Sequence, residues 1–383
     1  MLTNRIYFKN FKGKKNSKLR TKLLSILKKK NEIISSLSKD YKYSFNKKEL
    51  NKLKKFNNFR LIGLGGSTLG AQAIYGYLST KVKKKFEFID NLKNYQIKNL
   101  KNKIVNIIIS KSGNTIETIA NVNILIKKKD KNIFITENKK SNLYLLAEKL
   151  KADIIHHNNF IGGRYSVLSE VGMVPAELMG LSSNDFKQFN SLIKNKRFLN
   201  ALIMNVAATR NFIKKKKFNS VIINYDEKSD NLFKWYQQLV AESLGKKKTG
   251  LLPIISSVPK DNHSLMQLYL DGFQNNFFTF FYVNENNSLK INNNQLLPSK
   301  KSLLNKDLSA ILYAQKNATE NVFKKKNIPF RSFEIKVRDE KTLGELFCFF
   351  ILETILLGEA LNLNPFDQPA VELIKRETNK LLI

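Results

Sequence analysis

The sequence predicts an α/β protein made of two doubly wound parallel-sheet domains and an N-terminal helical segment. Three observations predict this class. Apolar runs rich in β-branched residues alternate with segments of helical periodicity through most of the chain. Several of these runs are apolar throughout, which is typical of parallel strands covered on both faces. The chain has 383 residues, enough for two domains with a substantial core.

The helical segment is expected to span residues 1–58, where leucine and isoleucine recur at helical spacing among lysines. The first domain is expected over residues 59–190, with strands at 59–64, 86–89, 104–109, 133–136 and 152–156. The second domain is expected over residues 191–383, with strands at 220–224, 278–283 and 333–337. Its helices are expected at 231–243, 263–273, 307–325, 342–361 and 371–380.

The longest apolar segment, residues 343–362, is expected to be a buried core helix. Glu345, Glu353 and Glu359 interrupt it, and carboxylates are costly in the hydrocarbon of a membrane. The start of the chain has no signal-peptide pattern, and its one cysteine, Cys348, excludes an intrachain disulfide. These features fit a cytoplasmic protein without a membrane span.

The net charge of +36 is the strongest compositional feature. Charge of this size can indicate nucleic-acid binding. The lysine runs are spread along the whole chain, and none belongs to a nucleic-acid-binding motif. We therefore expect no specific nucleic-acid partner and attribute the charge to a compositional bias towards Lys, Asn and Ile.

Residues 110–115 form a polar turn directly after an apolar strand. Asn114 and Glu117 have the spacing of a capping box, so a helix is expected to begin here. Free N–H groups and the positive end of the helix dipole make such a turn an anion site. The alternative is a well-capped turn that binds nothing. The side chains that would bind a phosphate are those of Ser110, Lys111, Ser112 and Thr115.

A second turn of the same design follows strand 59–64 and leads into an apolar helix that is expected from Leu69. Gly65 and Gly66 allow close backbone approach, and Ser67 can cap the helix or donate to a ligand. The pattern is neither a dinucleotide GxGxxG nor a P-loop. Because ligands bind at the carboxyl edge of parallel sheets, the two turns together favour a small phosphorylated ligand.

Six motifs resemble motifs of the glucose-6-phosphate isomerase (phosphoglucose isomerase) family, which has two sugar-isomerase domains, and they occur in the order found in that family. They are GLGGSTLG, ISKSGNTIET, IGGRYSVLSEVG, QQLVAESLGK, DNHSLMQLYLDG and FDQPAVELIKRE. The resemblance covers residue 59 to the C-terminus. It implies interconversion of glucose 6-phosphate and fructose 6-phosphate in glycolysis and gluconeogenesis, without a cofactor. No metal constellation is expected.

The resemblance also implies roles for individual residues. Glu242 matches the catalytic base, and Arg164 matches the arginine near the reacting carbons. His263 and Lys375 match the pair assigned to ring opening. The residues that match substrate-binding positions are Gly66, Ser67, Ser110, Lys111, Ser112, Thr115, Gly163, Gln238 and Gln368.

The chemistry gives independent reasons for some of these residue types. A carboxylate can remove a proton from one carbon and return it to the next. A guanidinium keeps its charge and so suits a developing oxyanion. If the resemblance is set aside, the sequence favours a solvated helix-end carboxylate for Glu242, a helix cap for His263 and a surface lysine for Lys375. Asp367 is expected to cap the last helix, with Pro369 in its first turn.

Alternatives of other kinds stay open at the level of sequence. One is a broader isomerase that also accepts mannose 6-phosphate. Another is a noncatalytic regulator that binds sugar phosphates, although such a protein has no need for Glu242, His263 and Lys375 together. The resemblance further implies a homodimer with shared active sites, in which the neighbouring subunit supplies His263.

Overall fold

The computed structural model describes residues 2–13, 16–29, 31–94, 104–285, 287–291, 301–303 and 305–382. In this part of the chain the strands form two five-stranded sheets. The strands are β1 (Ile6–Lys9), β2 (Asn58–Ile62), β3 (Lys85–Ile89), β4 (Ile104–Ile109), β5 (Lys131–Thr136), β6 (Asp153–His156), β7 (Asn219–Asn224), β8 (Leu252–Ser257), β9 (Asn276–Val283) and β10 (Phe330–Ile335).

The helices connect and cover these strands. They are α1 (Ser17–Lys28), α2 (Glu32–Leu37), α3 (Lys47–Leu53), α4 (Leu69–Tyr77), α5 (Ile116–Leu125), α6 (Asn142–Lys149), α7 (Glu170–Leu178), α8 (Phe189–Leu192), α9 (Lys196–Lys214), α10 (Asp230–Leu244), α11 (Met266–Asp271), α12 (Leu308–Lys325), α13 (Glu340–Ala360) and α14 (Val371–Leu381).

The two sheets share the order of their first four strands and differ in the fifth. The first has the order β3-β2-β4-β5-β6, and the second, read from its other edge, has the order β8-β7-β9-β10-β1. All neighbouring strands are parallel except β1, which pairs antiparallel with β10. The predicted class, two parallel sheets with helices, is confirmed. No sequence repeat reveals that the two halves share this order of four strands.

Alternate side chains of each strand enter different cores, as expected for sheets with helices on both faces. In the first sheet, Ile108 and Phe134 pack with residues of α5 and α6. On the other face, Leu61 and Ile107 belong to a large core that also contains Phe281 of the second sheet. Helix α10 lies within this shared core and contacts α4, α13 and β8. The core therefore joins the two halves through α10.

Two strands escape prediction from sequence. β1 lies in the N-terminal segment, which was expected to be helical throughout, and its register pairs Ile6 with Ile335. β8 contains Pro253 and forms an edge of the second sheet. A proline cannot donate to a ladder, so an edge is where a strand tolerates it.

The long apolar segment forms α13, which is buried along most of its length, as predicted. Two of its carboxylates have polar partners: Glu345 accepts a hydrogen bond from Thr3 Oγ1 at 2.7 Å, and Glu353 pairs with the buried guanidinium of Arg331. Across the described ranges, none of the helices has the length and apolar character needed to cross a bilayer.

Candidate active site

The turns after β2 and β4 lie side by side, as predicted, because these two strands are neighbours and pair in parallel. Gly65 has a positive φ of 54°, which glycine adopts without strain. A Cβ placed on Gly66 would lie 2.1 Å from the carbonyl carbon of Gly163. The first turn is thus in contact with the backbone that precedes Arg164, and glycine is required for that contact.

The turn 110–115 closes on itself through its hydroxyl groups. Ser110 Oγ and Thr115 Oγ1 are 3.0 Å apart. Helix α5 begins at Ile116 with Thr115 as its N-cap and without a hydrogen bond from a capping side chain. The predicted capping box of Asn114 and Glu117 is therefore wrong, because the Asn114 carboxamide instead accepts from the N–H of Asn142. The N-terminus of α5 keeps uncapped N–H groups beside these hydroxyls.

Charged and exposed groups complete this turn. The Lys111 ammonium lies 3.6 Å from the Glu137 carboxylate, and its side chain is 33% exposed. Ser112 is exposed. In the turn after β2, the residue at the N-cap of α4 is Thr68, and it makes no side-chain capping bond. The Ser67 hydroxyl therefore does not cap this helix. These groups provide donors at the shared edge of β2 and β4.

Arg164 is the most completely bonded side chain near this edge, and its side chain is 1% exposed. It lies in a short 3-10 segment, Gly163–Leu168. All five N–H groups of its guanidinium have acceptors, so its orientation is set by the protein. Nε donates to Ser243 Oγ (2.8 Å), Nη1 to Glu242 Oε2 (3.2 Å) and Gln368 Oε1 (2.7 Å), and Nη2 to the carbonyls of Pro365 (2.8 Å) and Asp367 (3.1 Å).

Glu242 and Gln238 share one face of α10, as their spacing of four residues predicts. Gln238 Nε2 donates to Glu242 Oε1 at 2.8 Å, while Arg164 binds the other carboxylate oxygen. The Glu242 side chain is 30% exposed. A Cβ on Gly65 would lie 2.9 Å from Gln238 Nε2. Gln238 Oε1 is buried without a hydrogen-bond partner.

Gln368 reaches Arg164 from the loop between α13 and α14 and is itself exposed. Asp367 does not cap α14, contrary to expectation. Its carboxylate lies 2.6 Å from the Lys246 ammonium instead. The helix begins at Val371 with Ala370 as N-cap, so Pro369 also precedes it. The loop therefore folds back towards the end of α10.

Two of the sequence-predicted site residues lie apart from this cluster. His263 is exposed at the end of a 3-10 turn after β8, and α11 begins only at Met266. Lys375 lies on α14, which has no buried residue, and pairs with Glu372 at 2.6 Å. Among the described residues, no hydrogen bond or ion pair joins either side chain to Arg164 or Glu242.

Ser243 and Tyr165 belong to the site although sequence reasoning missed them. Both are buried. The Tyr165 hydroxyl donates to the carbonyl of Pro365 at 2.9 Å and lies 2.9 Å from Ser243 Oγ. Burial raises the pKa of Tyr165, so the hydroxyl remains a donor. Their only sequence signal is that each directly follows a predicted catalytic residue, Glu242 or Arg164.

The cluster can support proton transfer next to a developing negative charge. A partly exposed carboxylate can accept and return a proton, and the adjacent buried guanidinium can stabilise an oxyanion. The partners of Nε and Nη2 are buried or backbone groups, whereas the partners of Nη1 are the two more exposed side chains. The Nη1 edge is therefore the part of the guanidinium that lies nearest to exposed side chains. In the described part of the chain, no three His, Cys, Asp or Glu side chains are grouped as metal ligands.

Comparison with known proteins identifies relatives over most of the chain. The family model for phosphoglucose isomerase matches residues 38–257, more than half of the sequence. The chain is 32% identical to the glucose-6-phosphate isomerase of Methanocaldococcus jannaschii, with 88% of this chain and 87% of that protein covered. It is also 32% identical to the glucose-6-phosphate isomerase of Mycoplasmopsis pulmonis, with 90% of this chain and 89% of that protein covered.

Solved structures with the same fold include a hypothetical protein from Thermus thermophilus. Its TM-score is 0.83 at 22% identity, with 96% of this chain and 94% of that chain covered. A glucose-6-phosphate isomerase from Chlamydia trachomatis has a TM-score of 0.69 at 20% identity, with 88% of this chain and 71% of that chain covered. At these identities the likeness shows the fold alone.

Proposed function

Because this chain belongs to the phosphoglucose isomerase family, we propose that it interconverts glucose 6-phosphate and fructose 6-phosphate. This reaction serves glycolysis and gluconeogenesis. The observation that carries the proposal is the contact of Glu242 Oε2 with the buried Arg164 guanidinium at 3.2 Å, on a helix that also presents Gln238. Such a pair supplies a base and a fixed positive charge at one place.

In the proposed mechanism, the substrate phosphate binds at the two turns of the first sheet. Ser67, Ser110, Ser112 and Thr115 would donate hydroxyl hydrogen bonds, and Lys111 would add charge. The uncapped N-terminus of α5 supplies further donors and a favourable dipole. Gly66 and Gly163 would also line the ligand site, and the support is that their backbones are in contact, which brings the first turn beside Arg164.

The isomerisation proper would take place at Glu242. Its carboxylate removes the proton from carbon 2 of the open-chain aldose and returns it to carbon 1, while the hydroxyl proton passes from oxygen 2 to oxygen 1, which gives the ketose. The enediolate that forms between these steps carries negative charge on oxygen. The fixed positive charge of the Arg164 guanidinium would stabilise that negative charge, and its hydrogen bonds to the protein support this role because they hold the guanidinium in position. Gln238 and Gln368 would contact the sugar.

Ring opening requires a proton donor and acceptor near the ring oxygen, and we assign it to His263 and Lys375. Their positions in the single chain favour a composite site in a homodimer, in which His263 comes from the partner. Exposed apolar side chains on α14 support such an association, because a partner would cover them. They include Leu373, Ile374 and Leu381, and the exposed Leu382 directly follows the helix. We also propose a cytoplasmic location, where glycolytic sugar phosphates are made and consumed.

The test is a coupled assay with purified protein and three substrates supplied separately: glucose 6-phosphate, fructose 6-phosphate and mannose 6-phosphate. We expect interconversion of the first two. Conversion of mannose 6-phosphate at a comparable rate would show the broader isomerase instead. Binding of the sugar phosphates without turnover of any of them would contradict an enzymatic function and favour a regulator.

A further inference from the structure

We infer that Lys246 is a positioning residue, which holds the loop of residues 364–368 against the end of α10 and so keeps Arg164 and Gln368 in place. The inference rests on the proposed function, in which both of these residues serve the isomerisation. Lys246 itself touches none of the groups assigned to the reaction. It would act through the loop.

The first support is the set of contacts that the Lys246 ammonium makes. It lies 2.6 Å from Asp367 Oδ1 and also donates to the carbonyl of Asn364. Asn364 Nδ2 donates to the other oxygen of Asp367 at 2.9 Å, and Asn364 Oδ1 accepts from the N–H of Phe366 at 3.1 Å. Lys246 thus bonds both a side chain and a backbone carbonyl of this loop.

The second support is burial. The Lys246 side chain is 13% exposed, although Asp367 is 52% exposed. The hydrogen bond from Lys246 is also the main cause that lowers the pKa of Asp367. A surface lysine normally keeps its ammonium in water, and most exposed ion pairs contribute little. A lysine that is mostly covered and bonded to two groups of one loop therefore differs from the many solvated lysines of this chain.

The third support is the rigid turn from which Lys246 projects. The backbone N–H of Lys246 donates to the carbonyls of Leu244 and Thr249, and the N–H of Thr249 donates back to the Lys246 carbonyl. Lys247 and Lys248 have positive φ values of 50° and 58° within this turn. The turn follows α10 immediately, so it connects Lys246 to the helix that carries Glu242.

The loop supplies three of the five acceptors that orient Arg164. The carbonyls of Pro365 and Asp367 accept from Nη2, and Gln368 Oε1 accepts from Nη1. A shift of the loop would change all three bonds together. Misplacement of a positioned group by about 1 Å can cost a rate factor of about 100. Lys246 would consequently affect the catalytic step more than the binding of the distant phosphate.

The first experiment compares Lys246→Met with the matched control Lys247→Met, which removes the same charge from the same turn. We expect Lys246→Met to lower kcat about 10- to 100-fold with KM changed less than about threefold, and Lys247→Met to behave like the wild type. Lys246→Arg should recover part of the loss, because it restores a cation. Adding Asp367→Asn to Lys246→Met should lower kcat little further. Equal kcat values for the two methionine variants would overturn the inference.

The second experiment measures the mobility of the loop and does not depend on enzyme activity. Hydrogen–deuterium exchange is measured on peptides that cover residues 361–370. We expect faster exchange in Lys246→Met and Asp367→Asn than in the wild type and Lys247→Met. Unchanged exchange would refute the role of Lys246. If the wild type has no isomerase activity while exchange responds as expected, the proposed function is wrong and the effect of Lys246 on the loop stands.

Discussion

Replacement of Glu242 by glutamine is the most direct test of the proposed proton transfer. Both carboxylate oxygens accept hydrogen bonds, from Gln238 Nε2 and from Arg164 Nη1. An amide at this position can keep only one of these bonds in the existing arrangement, since its nitrogen cannot accept. Gln238 can relieve the conflict by turning its carboxamide, because its Oε1 has no partner and would accept from the new amide nitrogen.

The expected change in the activation free energy is larger than the expected change in the free energy of unfolding, so an effect on catalysis can be told from an effect on folding. The variant exchanges a charge-assisted hydrogen bond beside a buried guanidinium for a neutral one, which we expect to lower the free energy of unfolding by about 1–1.5 kcal/mol. Loss of a general base slows reactions about 10²–10⁴-fold, which corresponds to about 3–5 kcal/mol in the activation free energy. The phosphate turns are untouched, so substrate binding should persist. Ring opening should persist as well, since it is assigned to other residues.

Two measurements check this prediction. The coupled assay gives kcat and KM, and magnetic resonance follows exchange of the hydrogen on carbon 2 of glucose 6-phosphate with solvent deuterium. Both isomerisation and exchange should fall together in Glu242→Gln. The control is Glu148→Gln, the same chemical change at an exposed position on α6. Near-normal isomerisation in Glu242→Gln, or wild-type isomerisation without any exchange, would refute Glu242 as the proton carrier.

Three further predictions concern the turns, the assembly and a buried histidine. The double variant Ser112→Ala, Thr115→Ala should raise KM more than it lowers kcat, because phosphate contacts are remote from the reacting carbons; unchanged KM with a collapse of kcat would contradict this. Mixing inactive His263→Ala with inactive Glu242→Gln subunits should restore some activity if sites are shared, whereas no recovery despite demonstrated subunit exchange would indicate sites within one chain. Burial lowers the pKa of His157 to about 4 from 6.5, so the unfolded chain binds more protons between these values. Stability should therefore fall by up to about 3 kcal/mol as pH drops from 6.5 to 4, and urea unfolding of His157→Gln should show a weaker pH dependence.

The sequence predicts the parts of the fold that depend on local pattern. Strands such as β4 are continuous apolar runs, and their polar turns mark the carboxyl edge of the sheet. β1 is missed because its four residues, IYFK, acquire strand character only by pairing with β10, which lies at the far end of the sequence. β8 is missed because Pro253 argues against a strand unless the edge position is known.

The sequence also predicts some features of the candidate site and misses others. Arg164, Gln238 and Glu242 come together as their motifs suggest, since two lie on one helix and the third directly follows a segment that contacts a glycine turn. The role of Asp367 could not be predicted, because capping a nearby helix and pairing with Lys246 are equally open to an exposed carboxylate. Ser243 and Tyr165 act through burial, which the sequence does not record at single residues.

The position of β1 also has a consequence for the order in which the protein is built. The ribosome makes Ile6 before every strand of the first sheet, but its partner Ile335 is made only after the other strands of both sheets. The first sheet has all its strands once residue 156 is out, whereas the second cannot be completed until residue 335 follows. The nascent chain thus carries β1 unpaired from the synthesis of Ile6 until that of Ile335, and domains fold as they appear. A bulky fusion directly before β1 would hinder its pairing with β10, and we expect such a tag to reduce the yield of folded protein.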